Sequence, residues 1–103
     1  MGWAKHAIAA LAEQKNAVIK PRGHSMRPKV LSGAVVELAP VTLDDLTVGD
    51  IVLCKVGGNV YLHLVKAIQG GAGSRRVQIG NNQGRINGWT RAVYGRAVRI
   101  DNP

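Results

Sequence analysis

Ile51-Val52-Leu53-Cys54-Lys55-Val56-Gly57-Gly58-Asn59-Val60-Tyr61-Leu62-His63-Leu64-Val65 decides the fold of this 103-residue chain. Two runs rich in branched aliphatic residues flank Gly57-Gly58-Asn59, a combination that supplies the positive φ angles of a tight hairpin turn. Val48-Gly49-Asp50 is a turn that launches the first strand, Ile51 to Val56, and Val60 to Ile68 is the return strand. Along the return strand, alternation places Tyr61, His63 and Val65 on one face and Leu62, Leu64 and Lys66 on the other.

The pattern extends in both directions. Downstream, Gln69 to Ser74 reads as a flexible loop and Arg75 to Ile79 as a strand. Gly80-Asn81-Asn82-Gln83-Gly84 is a polar turn, Asn87-Gly88 a second tight-turn signal, and Ala92 to Ile100 a closing strand with Gly95 as a candidate bulge. Upstream, a Ser32-Gly33 turn precedes a strand over Ala34 to Leu38. Thr42 caps a short turn with Asp45. Ala17 to Lys20 is a short strand ended by the extended preference that Pro21 imposes. Residues 2 to 15 are alanine-rich, with Trp3, Ala7, Ala10, Leu11 and Gln14 at helical spacing, so a helix with Trp3 in the core is expected, stopping at Asn16. The fold class is therefore mainly β. The expectation is a small closed or partly open β-barrel or sandwich of about six short strands, with an N-terminal helix over 1–16 and the β part over 17–103, in a single domain.

Composition narrows the function classes. Hydrophobic residues make up 46% of the chain, enough for a globular core, and with no Phe that core is built from Val, Ile, Leu and Ala. Cys54 is the single cysteine. It allows no disulfide framework and no structural zinc site, and its place in a strand marks it as a small core residue. Neither a metal nor a cofactor is expected. The net charge is +8, from 14 Lys+Arg against 6 Asp+Glu, which favours an anionic partner such as nucleic acid or an acidic protein. No stretch has the length of a transmembrane segment, and the apolar run from Ala7 to Ala12 is too short for the core of a signal peptide. A soluble, cytoplasmic protein is the expectation.

Chemistry concentrates at Gly23-His24-Ser25-Met26-Arg27-Pro28. A serine on a turn usually bonds the nearby backbone. It becomes a nucleophile only where a base takes its proton and donors receive the oxyanion. The available bases are His6, His24, His63 and Lys66. His24, adjacent to Ser25, points the other way in extended chain, and Lys66 lies on the face opposite His63 unless a bulge intervenes. The residues alone leave both readings of Ser25 open.

The stretch from Gly23 to Pro28 resembles the Gly-x-Ser-Met-x-Pro nucleophile motif of type I signal peptidases and the LexA-type self-cleaving repressors. Further segments follow in that family's order. Val48-Gly49-Asp50-Ile51-Val52 is similar to its Gly-Asp-Ile-Val strand start. Val60 to Val65 stands where the family carries its general base, Gly80-Asn81-Asn82 resembles its Gly-Asp-Asn, and Val93 to Val98 resembles its closing strand. The similarity spans roughly residues 18 to 100. It implies a serine peptidase without the usual triad, with Ser25 as nucleophile and His63 as base, as in the endoplasmic-reticulum and archaeal-like signal peptidases. It also implies an oxyanion donor at the Ser25 N–H beside Met26, close substrate approach at Gly23, and an extended peptide or protein substrate beside the 18–23 or 60–65 edge. Asn81 stands where the family has Asp, so support of the histidine falls to Asn81 and Asn82. Leu64 and Ala34 also depart from the pattern.

Two other functions fit the chain: a catalytically silent relative serving as a binding module, and a basic β-barrel that binds nucleic acid. The latter would use Arg75, Arg76, Arg85, Arg91, Arg96 and Arg99 on phosphates, with Trp89 as a stacking platform.

Overall fold

The computed structural model describes residues 3–103; the expected helical start at Gly2 lies outside them. Helix α1 (Lys5–Ala12) is followed by seven strands: β1 (Ala17–Ile19), β2 (Val35–Ala39), β3 (Ile51–Val56), β4 (Asn59–Gln69), β5 (Arg76–Gly80), β6 (Ile86–Thr90) and β7 (Val93–Asp101). All are antiparallel neighbours in one sheet of order β1-β2-β7-β3-β4-β5-β6. The mainly β class expected from the sequence is the class of the structure.

The hairpin forms where expected, with Val56 opposite Asn59 and Cys54 opposite Tyr61. Its two-residue turn has φ 57° at Gly57 and 84° at Gly58, values open to glycine at little cost. Both faces of β3 are covered, so its alternation is nearly lost: Val52, Leu53, Cys54 and Val56 are all buried.

Two cores result. Leu53, Leu62 and Leu64 join α1, β1, β2 and the turn residues Met26 and Val30 in the first. Val52, Cys54, Val65, Val77 and Ile79 form the second, closed by Leu46. The second exists because the β4–β5–β6 end of the sheet curls back towards β3. Thr90 Oγ1 donates to the Lys55 carbonyl at 2.7 Å and the Lys55 N–H donates to the Ala92 carbonyl at 2.9 Å, which gives the molecule its partly closed barrel.

Three local expectations are corrected. Asn87-Gly88, expected as a tight turn, lies within β6, the sixth of the seven strands among the described residues, and forms no hairpin turn. Gly88 has φ 140° beside a register shift between Ile79 and Gly80, so a pair with turn chemistry serves as a bulge. Trp3 is 49% exposed: it precedes α1, which buries Ala7 and Leu11 together with its N-cap residue Ala4. The helix ends before Asn16. Gln14 adopts φ 63°, its N–H donates to the Leu11 carbonyl, and the Lys15 N–H donates to the Ala10 carbonyl at 3.0 Å. That is a Schellman stop with glutamine in the usual glycine place. Asn16 instead donates from its side chain to Glu37 at 3.0 Å.

Helix α1 rests on Gly95. A Cβ there would lie 2.8 Å from the Ala39 carbonyl oxygen and 2.9 Å from both Leu11 methyls. The bulge expected near this glycine occurs beside it, where Leu53 pairs with Gly95 and Cys54 with Val93.

Candidate active site

Ser25 sits on the turn that follows β1. The turn is pinned from below by Met26 and Val30, both buried in the first core. Its backbone closes through Arg27 N–H to the His24 carbonyl at 3.2 Å and Val30 N–H to the Met26 carbonyl at 3.0 Å. Gly23 enters it at φ 111°, a conformation L side chains rarely adopt. The Arg27–Pro28 peptide is cis.

A second loop braces the turn. The Asn82 N–H donates to the Ser25 carbonyl at 2.8 Å. The side-chain amides of Asn82 and Gln83 donate to the Arg27 carbonyl at 2.8 and 2.9 Å. Asn81, itself buried, accepts from the Gln83 and Arg85 N–H groups through Oδ1 at 2.8 and 2.9 Å. Asn81 thus shapes its own loop, and Asn82 positions the serine turn.

Ser25 Oγ lies 3.1 Å from His63 Nε2. The 38 residues between them in sequence are spanned by the fold: β4 carries His63, buried, on the face of Tyr61 and Val65. The Tyr61 ring stacks on the imidazole at 4.9 Å between centroids. On the ring's far side, Nδ1 meets Asn87 Oδ1 at 2.7 Å. An amide oxygen there requires hydrogen on Nδ1 and leaves the Nε2 lone pair to accept the Ser25 hydroxyl proton. Burial holds the His63 pKa below the ordinary histidine value, opposed by the hydrogen bond with Asn87.

The residue that orients His63 is therefore Asn87 and not Asn81. The sequence reading missed it because Asn-Gly is the strongest turn signal in that segment; only the curl of the sheet carries β6 over the β4 face and turns Asn87 towards the imidazole. The other bases are elsewhere. His24 is exposed and opens on a shallow depression with Arg27, Pro28 and Gln83. His6 Nε2 contacts the Val18 carbonyl at 3.1 Å. A bulge does occur at Lys66, but its side chain packs beside Gly80. Cys54 is fully buried and its thiol pKa is pushed up to about 12 by desolvation, so it is inert as a nucleophile.

The dyad opens on a groove of about 680 Å³. One wall is the chain from Lys20 to Gly23 with Trp3, and the other is Val60 to Leu62 of β4. Among the described residues, this half of β4 has a free edge on the side away from β3. Strand β5 pairs with β4 only from Leu64 to Gln69. The Val65 N–H donates to the Asp50 carbonyl and its own carbonyl accepts from Gly49, both at 2.9 Å. The backbone groups of 61, 63 and 65 therefore point towards β3, and by alternation those of Val60 and Leu62 point away from it, along the unpaired edge. Among the described residues, neither the Ser25 nor the Met26 N–H donates to a protein acceptor.

The arginines divide. Arg75 reaches the Asp44 and Leu46 carbonyls, Arg96 pairs with Asp50 at 3.4 Å, and Arg99 pairs with Asp101 at 3.1 Å. The guanidinium of Arg76 lies 4.7 Å over the Trp89 ring, so one face of the expected stacking platform is already covered. Among the described residues no group of acidic, cysteine and histidine side chains is arranged to hold a metal ion, and no helix is long and apolar enough to cross a membrane. No protein-family model and no curated protein matches this chain.

Proposed function

We propose that the protein is a serine peptidase that cleaves extended peptide with a Ser25/His63 dyad. The observation that carries this reading is the 3.1 Å contact between Ser25 Oγ and His63 Nε2, with Asn87 on the opposite ring nitrogen. The Gly-x-Ser-Met-x-Pro resemblance supports the same assignment independently of the geometry.

In this mechanism substrate lies in the groove and adds a strand to the free edge of β4 at Val60 and Leu62. His63 Nε2 accepts the Ser25 proton as Oγ attacks the scissile carbonyl carbon. The oxyanion is received by the Ser25 N–H. The imidazolium then gives its Nε2 proton to the leaving amine, leaving an acyl-serine. Water attacks that ester, passes a proton to Nε2, and the proton returns to Ser25 as the acid departs. Asn87 holds the ring through both halves. It carries no charge to stabilise the imidazolium, which makes the dyad weaker than one backed by a carboxylate.

Incubation with a denatured protein digest, read by mass spectrometry of new termini, tests the reading. Wild type is expected to generate termini that are absent with Ser25→Ala and reduced by about 10² to 10⁴ with His63→Ala. Equal termini from wild type and Ser25→Ala would refute it.

A further inference from the structure

The groove carries an electrostatic signature that the dyad does not require. Lys20 and Arg22 stand on the wall that leaves β1, and Arg85 stands on the wall beside Asn81 and Asn87. Among the described residues, no aspartate or glutamate lines the groove. All three cations are exposed, and among the described residues none has a carboxylate partner, whereas Lys15, Arg75, Arg96 and Arg99 do. The molecule's net charge of +8 adds to the local field. A cleft lined by one sign of charge concentrates ligands of the other and repels those of its own.

Backbone geometry says what kind of anion fits. The free edge at Val60 and Leu62 offers main-chain donors and acceptors to an extended chain, and the groove it borders is also lined by apolar Met26, Val30 and Leu31. A phosphodiester backbone has no N–H groups to complete such a ladder, but a peptide has both partners. Side chains of a strand alternate between the two faces, so some of a bound peptide's side chains face the groove floor while others reach the rim where Lys20, Arg22 and Arg85 stand.

We infer that the groove selects extended peptides with acidic side chains near the bond held at Ser25. The preference rests on the peptidase reading for its consequence, but the binding step is separable from cleavage. Exposed pairs are individually weak, up to about five-fold each, so three acting together yield a preference of roughly ten-fold or more that falls as salt is raised.

The test uses two fluorescein-labelled decapeptides of identical sequence except for three Glu or three Gln, titrated by anisotropy into the Ser25→Ala protein at low and high salt. The Glu peptide is expected to bind at least about ten-fold more tightly at low salt. The advantage is expected to shrink to about two-fold or less in a Lys20→Gln/Arg22→Gln/Arg85→Gln variant, whose circular dichroism and melting should match the parent because the three side chains are exposed. Equal binding of the two peptides, an advantage that survives the triple variant, or displacement by a thymidine decanucleotide at lower concentration than by the unlabelled Glu peptide would each overturn the inference. Turnover of the same Glu peptide by wild type is scored separately. Binding without turnover would sink the peptidase reading while leaving the acidic-peptide groove in place.

Discussion

At the residue scale, the state of one imidazole decides what Ser25 can do. His63 is buried against Tyr61, and that burial favours its neutral form and holds its pKa below the usual histidine value, opposed by the hydrogen bond with Asn87. General-base function needs that neutral form. Peptidase kcat/KM is therefore expected to rise with pH through a limb below about 6.5, then to level off through neutrality; a pH–rate profile measures it. Asn87→Asp places a carboxylate at Nδ1, favours the imidazolium, and is expected to move the limb to higher pH. Asn87→Ala removes the only acceptor at Nδ1 among the described residues and is expected to lower kcat more than it raises KM. A variant with an unshifted limb after Asn87→Asp would show that Asn87 does not govern the ring.

At the element scale, α1 and the curl of the sheet are each held by identifiable contacts. Gly95→Ala drives a methyl against the Ala39 carbonyl and the Leu11 methyls, and overpacking of this kind costs about 1–3 kcal/mol, read as a lower denaturant midpoint. Gln14→Gly relieves a left-handed glutamine at the helix stop and is expected to stabilise by about 1 kcal/mol in the same measurement. Most elements were legible from residue chemistry: the β3–β4 hairpin from Gly57-Gly58, β2 and β7 from valine-rich runs, the short turn after Thr42 from its distance to Asp45, although the Thr42 hydroxyl donates to the Asp45 carboxylate at 3.0 Å and caps no backbone N–H. What escaped was non-local. Asn87-Gly88 carries turn chemistry, and only pairing with Gln78 to Gly80 and the approach of Val56 make it a strand. Trp3 satisfies helical spacing, yet the helix begins two residues later. The Ser25–His63 pair was accessible only through motif resemblance, since neither alternation nor composition specifies which strand face meets a distant turn.

At the scale of the whole molecule, the same histidine links folding to pH. A histidine whose folded pKa is depressed binds fewer protons in the folded than in the unfolded state over the interval between the two values, so stability rises with pH there. The His63 contribution is fully present above the unfolded value of about 6.5 and is lost as pH falls through the folded value. Thermal melts are expected to show a drop on acidification that is smaller in His63→Gln. The two cores share strands β3 and β4, and the groove opens where β5 leaves the first half of β4 unpaired. The Ser25 turn, His63 and the open edge of β4 thus meet at one seam of the barrel, and loosening the curl by Thr90→Val should lower stability and, on the proposed function, activity.

The proposed function depends on His63 activating Ser25. Fluorophosphonate labelling followed by intact-mass and peptide-mapping mass spectrometry tests it most directly. The expected result is a single adduct on Ser25, formed at a rate that follows the His63 limb, absent in Ser25→Ala and slowed about 10² or more in His63→Ala. Labelling at an undiminished rate in His63→Ala, or none of wild type between pH 6 and about 9, a range that covers the neutral imidazole, would contradict it.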